Sequence, residues 1–126
     1  MAQTYIVGDI VMYKNKIHTI IDTLRLNNYE LSYVRHSVNR EELSGVPLTP
    51  EILEKNGWYG ATHSKQSDDN TKILYKTFKR KGYPTIKVSQ DLKITCELSP
   101  FIVKLESVSD LQHLLFGLRL NSEMEV

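Results

Sequence analysis

The residues with the clearest chemical potential form a basic and aromatic cluster between positions 75 and 83. Cations alternate there with aromatic rings, and three of the cations are consecutive. Lysine and arginine neutralise phosphates while aromatic rings stack on bases, so the pattern predicts a site for a nucleic acid or a nucleotide. The alternative is a hairpin tip whose charges are only solvated. The candidate binding residues of this cluster are Tyr75, Lys76, Phe78, Lys79, Arg80, Lys81 and Tyr83.

Two further aromatic residues, Trp58 and Tyr59, stand directly after a predicted helix. We expect Trp58 to pack in the core or against the end of that helix. Tyr59 begins a polar segment, residues 59–71, which we expect to be an exposed loop. Both are candidate ligand contacts, because aromatic side chains at the root of a loop can line a pocket.

The sequence shows no arrangement typical of catalysis or of a metal centre. The histidines have no paired spacing, and none adjoins the single cysteine, Cys96. Cys96 alternates with apolar residues, which favours a buried side chain, and one cysteine excludes an intramolecular disulfide. The carboxylates are scattered, and the sequence places no pair of them in an acid/base arrangement; no glycine-rich phosphate loop is present. We therefore expect a non-catalytic protein without metal or cofactor; its histidines are His18, His36, His63 and His113.

The composition is that of an ordinary globular domain. The chain has 126 residues, of which 40% are hydrophobic and 25% charged. A net charge of +1 argues against a general nucleic-acid coat protein but permits a local basic patch. The N-terminus lacks the regions of a signal peptide, and no apolar run approaches the roughly 20 residues that span a bilayer. We expect a cytoplasmic protein that does not contact a membrane.

The helix before the aromatic pair has both of its ends specified by residue type. Thr49 suits the N-cap, and Pro50 suits the first helical position because its missing N–H has no partner there. Gly57 suits the left-handed residue that follows a helix end. The pattern therefore predicts a short helix at about 50–56.

Segments rich in β-branched residues predict two antiparallel sheets. Residues 5–35 have the layout of a three-stranded meander like that of small SH3-like barrels, and residues 36–44 are predicted to be a polar connector. The second sheet is predicted from four segments, which are 73–78, 85–88, 92–98 and 101–105.

A closing helix is predicted at 108–120 by apolar residues at helical spacing. Two capping boxes compete for its start: Ser109 with Gln112, and Ser107 with Asp110. We expect this helix to pack across the second sheet.

Three segments resemble short proteins of phages, prophages and mobile elements of gut Bacteroides-type bacteria. Residues 45–58 are similar to the block G-[IV]-P-L-T-x-E-[IW]-L-x-K-x-G-[FW] of that family. Residues 108–118 are similar to its closing helix V-H-x-L-Q-N-L-Y-F-A-L, and residues 7–16 to its opening I-G-N-x-V-x-Y-x-G-x. The similarity covers most of the chain apart from 59–71. It implies a fold and a genomic context, and the family has no assigned activity.

We predict an α+β fold in one compact domain over 1–126, with an SH3-like β part at 1–44 and the helix, second antiparallel sheet and C-terminal helix at 45–126. We expect a phage or mobile-element accessory protein in the host cytoplasm that binds a host protein or sequesters a nucleotide signal, in counter-defence. Two alternatives stay open: a nucleic-acid-binding module using 75–83, and a small structural component of the virion. Phe116 and Leu120 on the closing helix are candidates for a homodimer surface.

Overall fold

The computed structural model describes residues 4–66, 72–98 and 100–126. Within these residues the chain forms two antiparallel sheets and two α-helices, which confirms the predicted α+β class. Backbone contacts divide the chain into two compact units. The first unit contains residues 1–47 and 107–124, and the second contains 48–106 and 125–126. That the chain is one domain stays a prediction.

The first unit is built on an antiparallel meander. Its strands are β1 (Ile10–Tyr13), β2 (Lys16–Thr23), β3 (Asn28–Leu31), β4 (Val38–Asn39) and β5 (Ser44–Gly45), in the spatial order β4-β3-β2-β1-β5. The segment 36–44 is more than a connector, because β4 pairs with β3 and β5 pairs with β1. A 3₁₀ turn, Arg40–Glu42, joins these two short strands, and Asn39 caps it by accepting the N–H of Glu41.

The closing helix, α2, spans Val108–Gly117 and begins with the second of the two competing capping boxes. Ser107 Oγ accepts the N–H of Asp110 (3.2 Å), and the Asp110 carboxylate accepts the N–H of Ser107 (2.9 Å). Ser109 is fully buried inside the first turn, where its hydroxyl lies 3.0 Å from that of Ser107. Ser107 rather than Ser109 is therefore the N-cap residue of α2.

A buried glutamine attaches α2 to the first unit. Gln112 Oε1 accepts the N–H of Ile10 (2.9 Å), and its Nε2 donates to the carbonyls of Gly8 (2.9 Å) and Ser122 (3.1 Å). This corrects our expectation that the helix packs across the second sheet. A buried amide needs polar partners, and the start of β1 supplies them.

The outer side of α2 retains one large apolar residue in solvent. Phe116 is 64% exposed, whereas Leu120 beyond the helix end is half-buried. Of the two predicted homodimer residues, Phe116 is thus exposed and Leu120 partly exposed, and the homodimer itself stays a prediction.

The second unit holds a five-stranded antiparallel sheet and helix α1 (Pro50–Lys55). Its strands are β6 (Tyr59–Gln66), β7 (Lys72–Lys79), β8 (Ile86–Ser89), β9 (Ile94–Leu98) and β10 (Phe101–Leu105), in the order β10-β9-β8-β7-β6. The expected loop at 59–71 is wrong for 59–66, which form β6 and pair with β7 along its whole length. Residues 67–71 lie outside the described residues.

Helix α1 has the ends that its sequence predicts. Thr49 Oγ1 accepts the N–H of Ile52 (3.3 Å) at the start. At the other end Gly57 adopts a left-handed φ of 91°, and the N–H of Trp58 donates to the carbonyl of Leu53 (3.0 Å). This Schellman-type stop turns the chain sharply into β6.

Candidate functional site

The alternation of strand β7 separates the predicted cluster onto two faces of the second sheet. Phe78 is fully buried on the inner face, in the same row as Gly60 and Ile86 of the neighbouring strands. Lys76 belongs to that same face, two residues away, and its side chain is exposed. Tyr75 and Lys79 belong to the opposite, outer face, because successive side chains of a strand point in opposite directions.

Three of the candidate binding residues, Trp58, Arg80 and Tyr83, contact one another and hold the β7–β8 turn against the inner face. Trp58 is 1% exposed, and its ring makes an edge contact with Tyr83 at 5.4 Å between centroids. The Arg80 guanidinium lies over both rings, 4.0 Å from the centroid of Tyr83 and 5.1 Å from that of Trp58. These contacts make Trp58, Arg80 and Tyr83 structural, and leave Lys81 exposed in the turn.

The outer face of the second sheet, defined by the residues paired with Thr77 and their same-face neighbours, is exposed to solvent. Tyr59, Lys87 and Lys104 are exposed on it, and Tyr75 and Thr77 are half-buried. One row of direct partners crosses all five strands, formed by Ala61, Thr77, Lys87, Thr95 and Lys104.

Aromatic rings are concentrated on the β6–β7 side of the outer face. His63 and Tyr75 are direct cross-strand partners, and their rings stack at 5.2 Å with an interplanar angle of 22°. His63 Nε2 also forms a 2.8 Å hydrogen bond with Thr77 Oγ1, which orients the imidazole. Tyr59 is 79% exposed and pairs with Lys79 on the same face. Tyr59 and His63 are therefore exposed on this face, and the half-buried Tyr75 lies beside them.

The charge on the outer face is mostly positive. Lys79, Lys87 and Lys104 are exposed there, and Lys87 Nζ lies 4.6 Å from the centroid of the Tyr75 ring. Among the described side chains of this face, Glu97 of β9 is the one carboxylate. A shallow cavity of about 230 Å³ lies on this face across β7, β8 and β9, lined by Tyr75, Thr77, Thr85, Lys87 and Glu97.

Cys96 lies on the inner face and confirms the prediction of a buried thiol. It is fully buried, and it pairs with Ile86 of β8. Burial raises the pKa of its thiol, and the nearby carboxylate of Glu97 acts in the same direction. A thiol with a raised pKa is a poor nucleophile, so Cys96 acts as a small core residue.

A separate polar pair lies in the first unit, where Asp9 is almost fully buried. Its carboxylate accepts hydrogen bonds from the N–H of Ile6 (2.9 Å) and from His113 Nε2 (2.5 Å). Burial raises the pKa of Asp9 above its ordinary value of 3.8, and these two hydrogen bonds oppose the increase without cancelling it. The pair joins the segment before β1 to α2, and its role is structural.

The raised pKa of Asp9 predicts a pH dependence of stability. Because the folded state binds this proton more tightly than the unfolded chain, the protonated carboxyl favours folding. The contribution is fully present below about pH 3.8 and is lost as the pH rises through the raised pKa. Urea denaturation should show the free energy of unfolding of the wild type falling relative to that of Asp9→Asn over this window. A constant difference between the two proteins would contradict the assignment.

Sequence reasoning missed several residues of the outer face. The predicted binding residues do not include His63, Thr85, Glu97 or Lys104. Lys87 was not among them either, although it fits the basic pattern around position 79. These residues can be assigned to the outer face only when 59–66 is recognised as a strand and the register of all five strands is known. The alternation of Tyr59, Ala61 and His63 is the sequence signal for this strand. It is weak because the segment is polar.

Comparisons with protein-family models, with curated proteins and with solved structures find no match to this chain. Neither helix of the described chain has the length and apolarity that crossing a bilayer requires. The described residues also contain no group of three or more histidine, cysteine or acidic side chains placed to hold a metal ion. The function is therefore argued from the outer face itself.

Proposed function

We propose that this protein is a non-catalytic binding protein that holds single-stranded nucleic acid on the outer face of its second sheet. One observation carries the proposal: three aromatic rings and three lysines share one exposed face of a regular sheet. The rings belong to Tyr59, His63 and Tyr75, and the cations to Lys79, Lys87 and Lys104.

The arrangement suits unpaired bases better than a duplex. Bases of a single strand can leave their stack and lie on aromatic side chains, whereas the bases of a duplex are covered by their neighbours. Lysines on adjacent strands then neutralise the phosphates between the stacked bases. The face is a broad platform, without the projecting helix that enters a major groove.

Binding of a labelled oligothymidylate or oligouridylate, followed by fluorescence anisotropy from roughly 50 mM to 200 mM salt, tests the proposal. Three lysine–phosphate contacts predict a slope of log K against log salt of about −2, since each contact to a single strand contributes about −0.7. The matching duplex should bind more weakly. Absence of binding at the lowest salt, or preference for the duplex, would overturn the proposal.

The resemblance to phage and mobile-element proteins supports a more specific version of this role. We propose that the protein acts in the cytoplasm of a host bacterium and that the same face sequesters a nucleotide signal, in counter-defence. Competition by short nucleotides against the labelled oligonucleotide distinguishes this version from capture of long strands. An SH3-like first sheet, a host-protein partner, a homodimer through α2 and a place in the virion stay predictions supported by the sequence alone.

A further inference from the structure

We propose that Glu97 makes the outer face selective for guanine. The inference rests on the proposed function, and it concerns the cavity of about 230 Å³ that lies across β7, β8 and β9. It assigns a specificity-determining role to a residue that a purely electrostatic site would not contain.

Glu97 occupies an unusual place on the outer face. It is exposed among lysines, and the ion pairs formed by the described residues do not include it. Lys87 pairs directly with Thr95, so Glu97, two residues further along β9, is its diagonal neighbour on the same face. The backbone positions of diagonal neighbours lie about 7–8 Å apart, so both side chains can reach the edges of one planar ligand.

The walls of the cavity fit a base lying on the sheet. Tyr75 forms the β7 side, and its ring is supported from β6 by the stacked His63. Thr77 and Thr85, two residues with neutral hydrogen-bonding side chains, also line the cavity. The cavity therefore combines an aromatic wall, neutral hydrogen-bonding groups and one charge of each sign.

A carboxylate at this position discriminates among the bases because it only accepts hydrogen bonds. The Watson–Crick edge of guanine presents two adjacent donors, N1–H and the N2 amino group, which match the two carboxylate oxygens. Cytosine and adenine present one amino group beside an acceptor nitrogen, and uracil and thymine present one N–H between two carbonyls. Both of these patterns place a lone pair against the carboxylate of Glu97.

The cation beside Glu97 strengthens the match to guanine. The O6 and N7 atoms of guanine are acceptors, and lysine is a common partner for them. Lys87 Nζ lies over the Tyr75 ring, and both residues line the cavity. A guanine can thus meet Glu97 with its donor edge and Lys87 with its acceptor edge at the same time.

Anisotropy with thymidine-rich oligonucleotides that carry one central variable base tests the inference. We expect the wild type to bind the guanine oligonucleotide roughly tenfold more tightly than those with adenine, cytosine or thymine. The oligonucleotide with inosine, which lacks the N2 amino group, should bind with an intermediate affinity. In Glu97→Gln the preference for guanine should disappear, whereas Glu54→Gln on α1, an exposed control, should retain it.

The outcomes separate this inference from the proposed function. If the wild type binds all the oligonucleotides with equal affinity, selectivity by Glu97 is refuted and the binding function stands. If Glu97→Gln raises the affinity for every oligonucleotide by the same factor, Glu97 only repels phosphate and the inference fails. If the wild type binds none of them, both proposals fail. Thermal melting of Glu97→Gln checks its fold, which an exposed position should leave unchanged.

Discussion

Simultaneous replacement of Lys79, Lys87 and Lys104 by alanine is expected to lower the affinity for a single-stranded oligonucleotide by on the order of 100-fold at low salt. The slope of log K against log salt should rise from about −2 to near zero, because the three lysines proposed to contact phosphate are removed. Each single replacement should change the slope by about 0.7. Fluorescence anisotropy over a salt series measures both quantities, and circular dichroism checks that the exposed substitutions leave the fold intact.

Two lysines close in sequence provide matched controls for this experiment. Lys76 is exposed on the opposite face of the same strand, and Lys81 is exposed in the β7–β8 turn. Lys76→Ala should keep the wild-type affinity and slope, and Lys81→Ala should change them less than Lys87→Ala. Strong loss of binding in the two control variants, with the triple variant unaffected, would place the site on the opposite face and the turn instead of the outer face.

The difference between the turn and the face shows why the candidate site could be predicted only in part. The residue types at 75–83 correctly point to cations beside aromatic rings, but neighbours along a strand point to opposite faces. Tyr75 and Lys79 lie on the outer face, whereas Phe78 is in the core. Which distant residues join them depends on the register between strands, and no local pattern specifies that register.

Strand β6 illustrates the limit of periodicity as a signal. Its inner positions begin with Gly60 and Thr62 instead of large apolar residues. A β-carbon at Gly60 would come within 2.7 Å of the Phe78 ring, so the inner face has no space for a side chain at that position. The core is filled from β7, and β6 needs only its backbone pairing. A strand of this kind resembles a polar loop in sequence.

Helices are easier to predict than the surfaces they cover. The ends of α1 are specified by Thr49, Pro50 and Gly57, all within a short segment, and the structure agrees within one residue. The apolar stripe of α2 is equally clear, yet nothing in it indicates which sheet it covers. That choice depends on Gln112 meeting the backbone of Ile10, more than a hundred positions earlier in the chain.

Adjacent residues Trp58 and Tyr59 should give opposite results when each is replaced by alanine. Trp58→Ala is expected to lower the free energy of unfolding by about 3–5 kcal/mol, because it removes a fully buried indole. The variant also loses the edge contact of the indole with Tyr83 and the contact of the Arg80 guanidinium with the indole face. Urea denaturation followed by circular dichroism measures the change, since Trp58 is the only tryptophan and its fluorescence is lost in the variant.

Tyr59→Ala should leave the free energy of unfolding within about 0.5 kcal/mol of the wild type, because the ring is 79% exposed. Its effect should appear in binding, where loss of one stacked base costs about 1–3 kcal/mol of affinity for an oligonucleotide. Unchanged affinity in Tyr59→Ala would remove this ring from the proposed interface. The helix stop at Gly57 directs the side chains of Trp58 and Tyr59 to opposite sides of the sheet. If Tyr59 were needed for folding and Trp58 were dispensable, this assignment of faces would be contradicted.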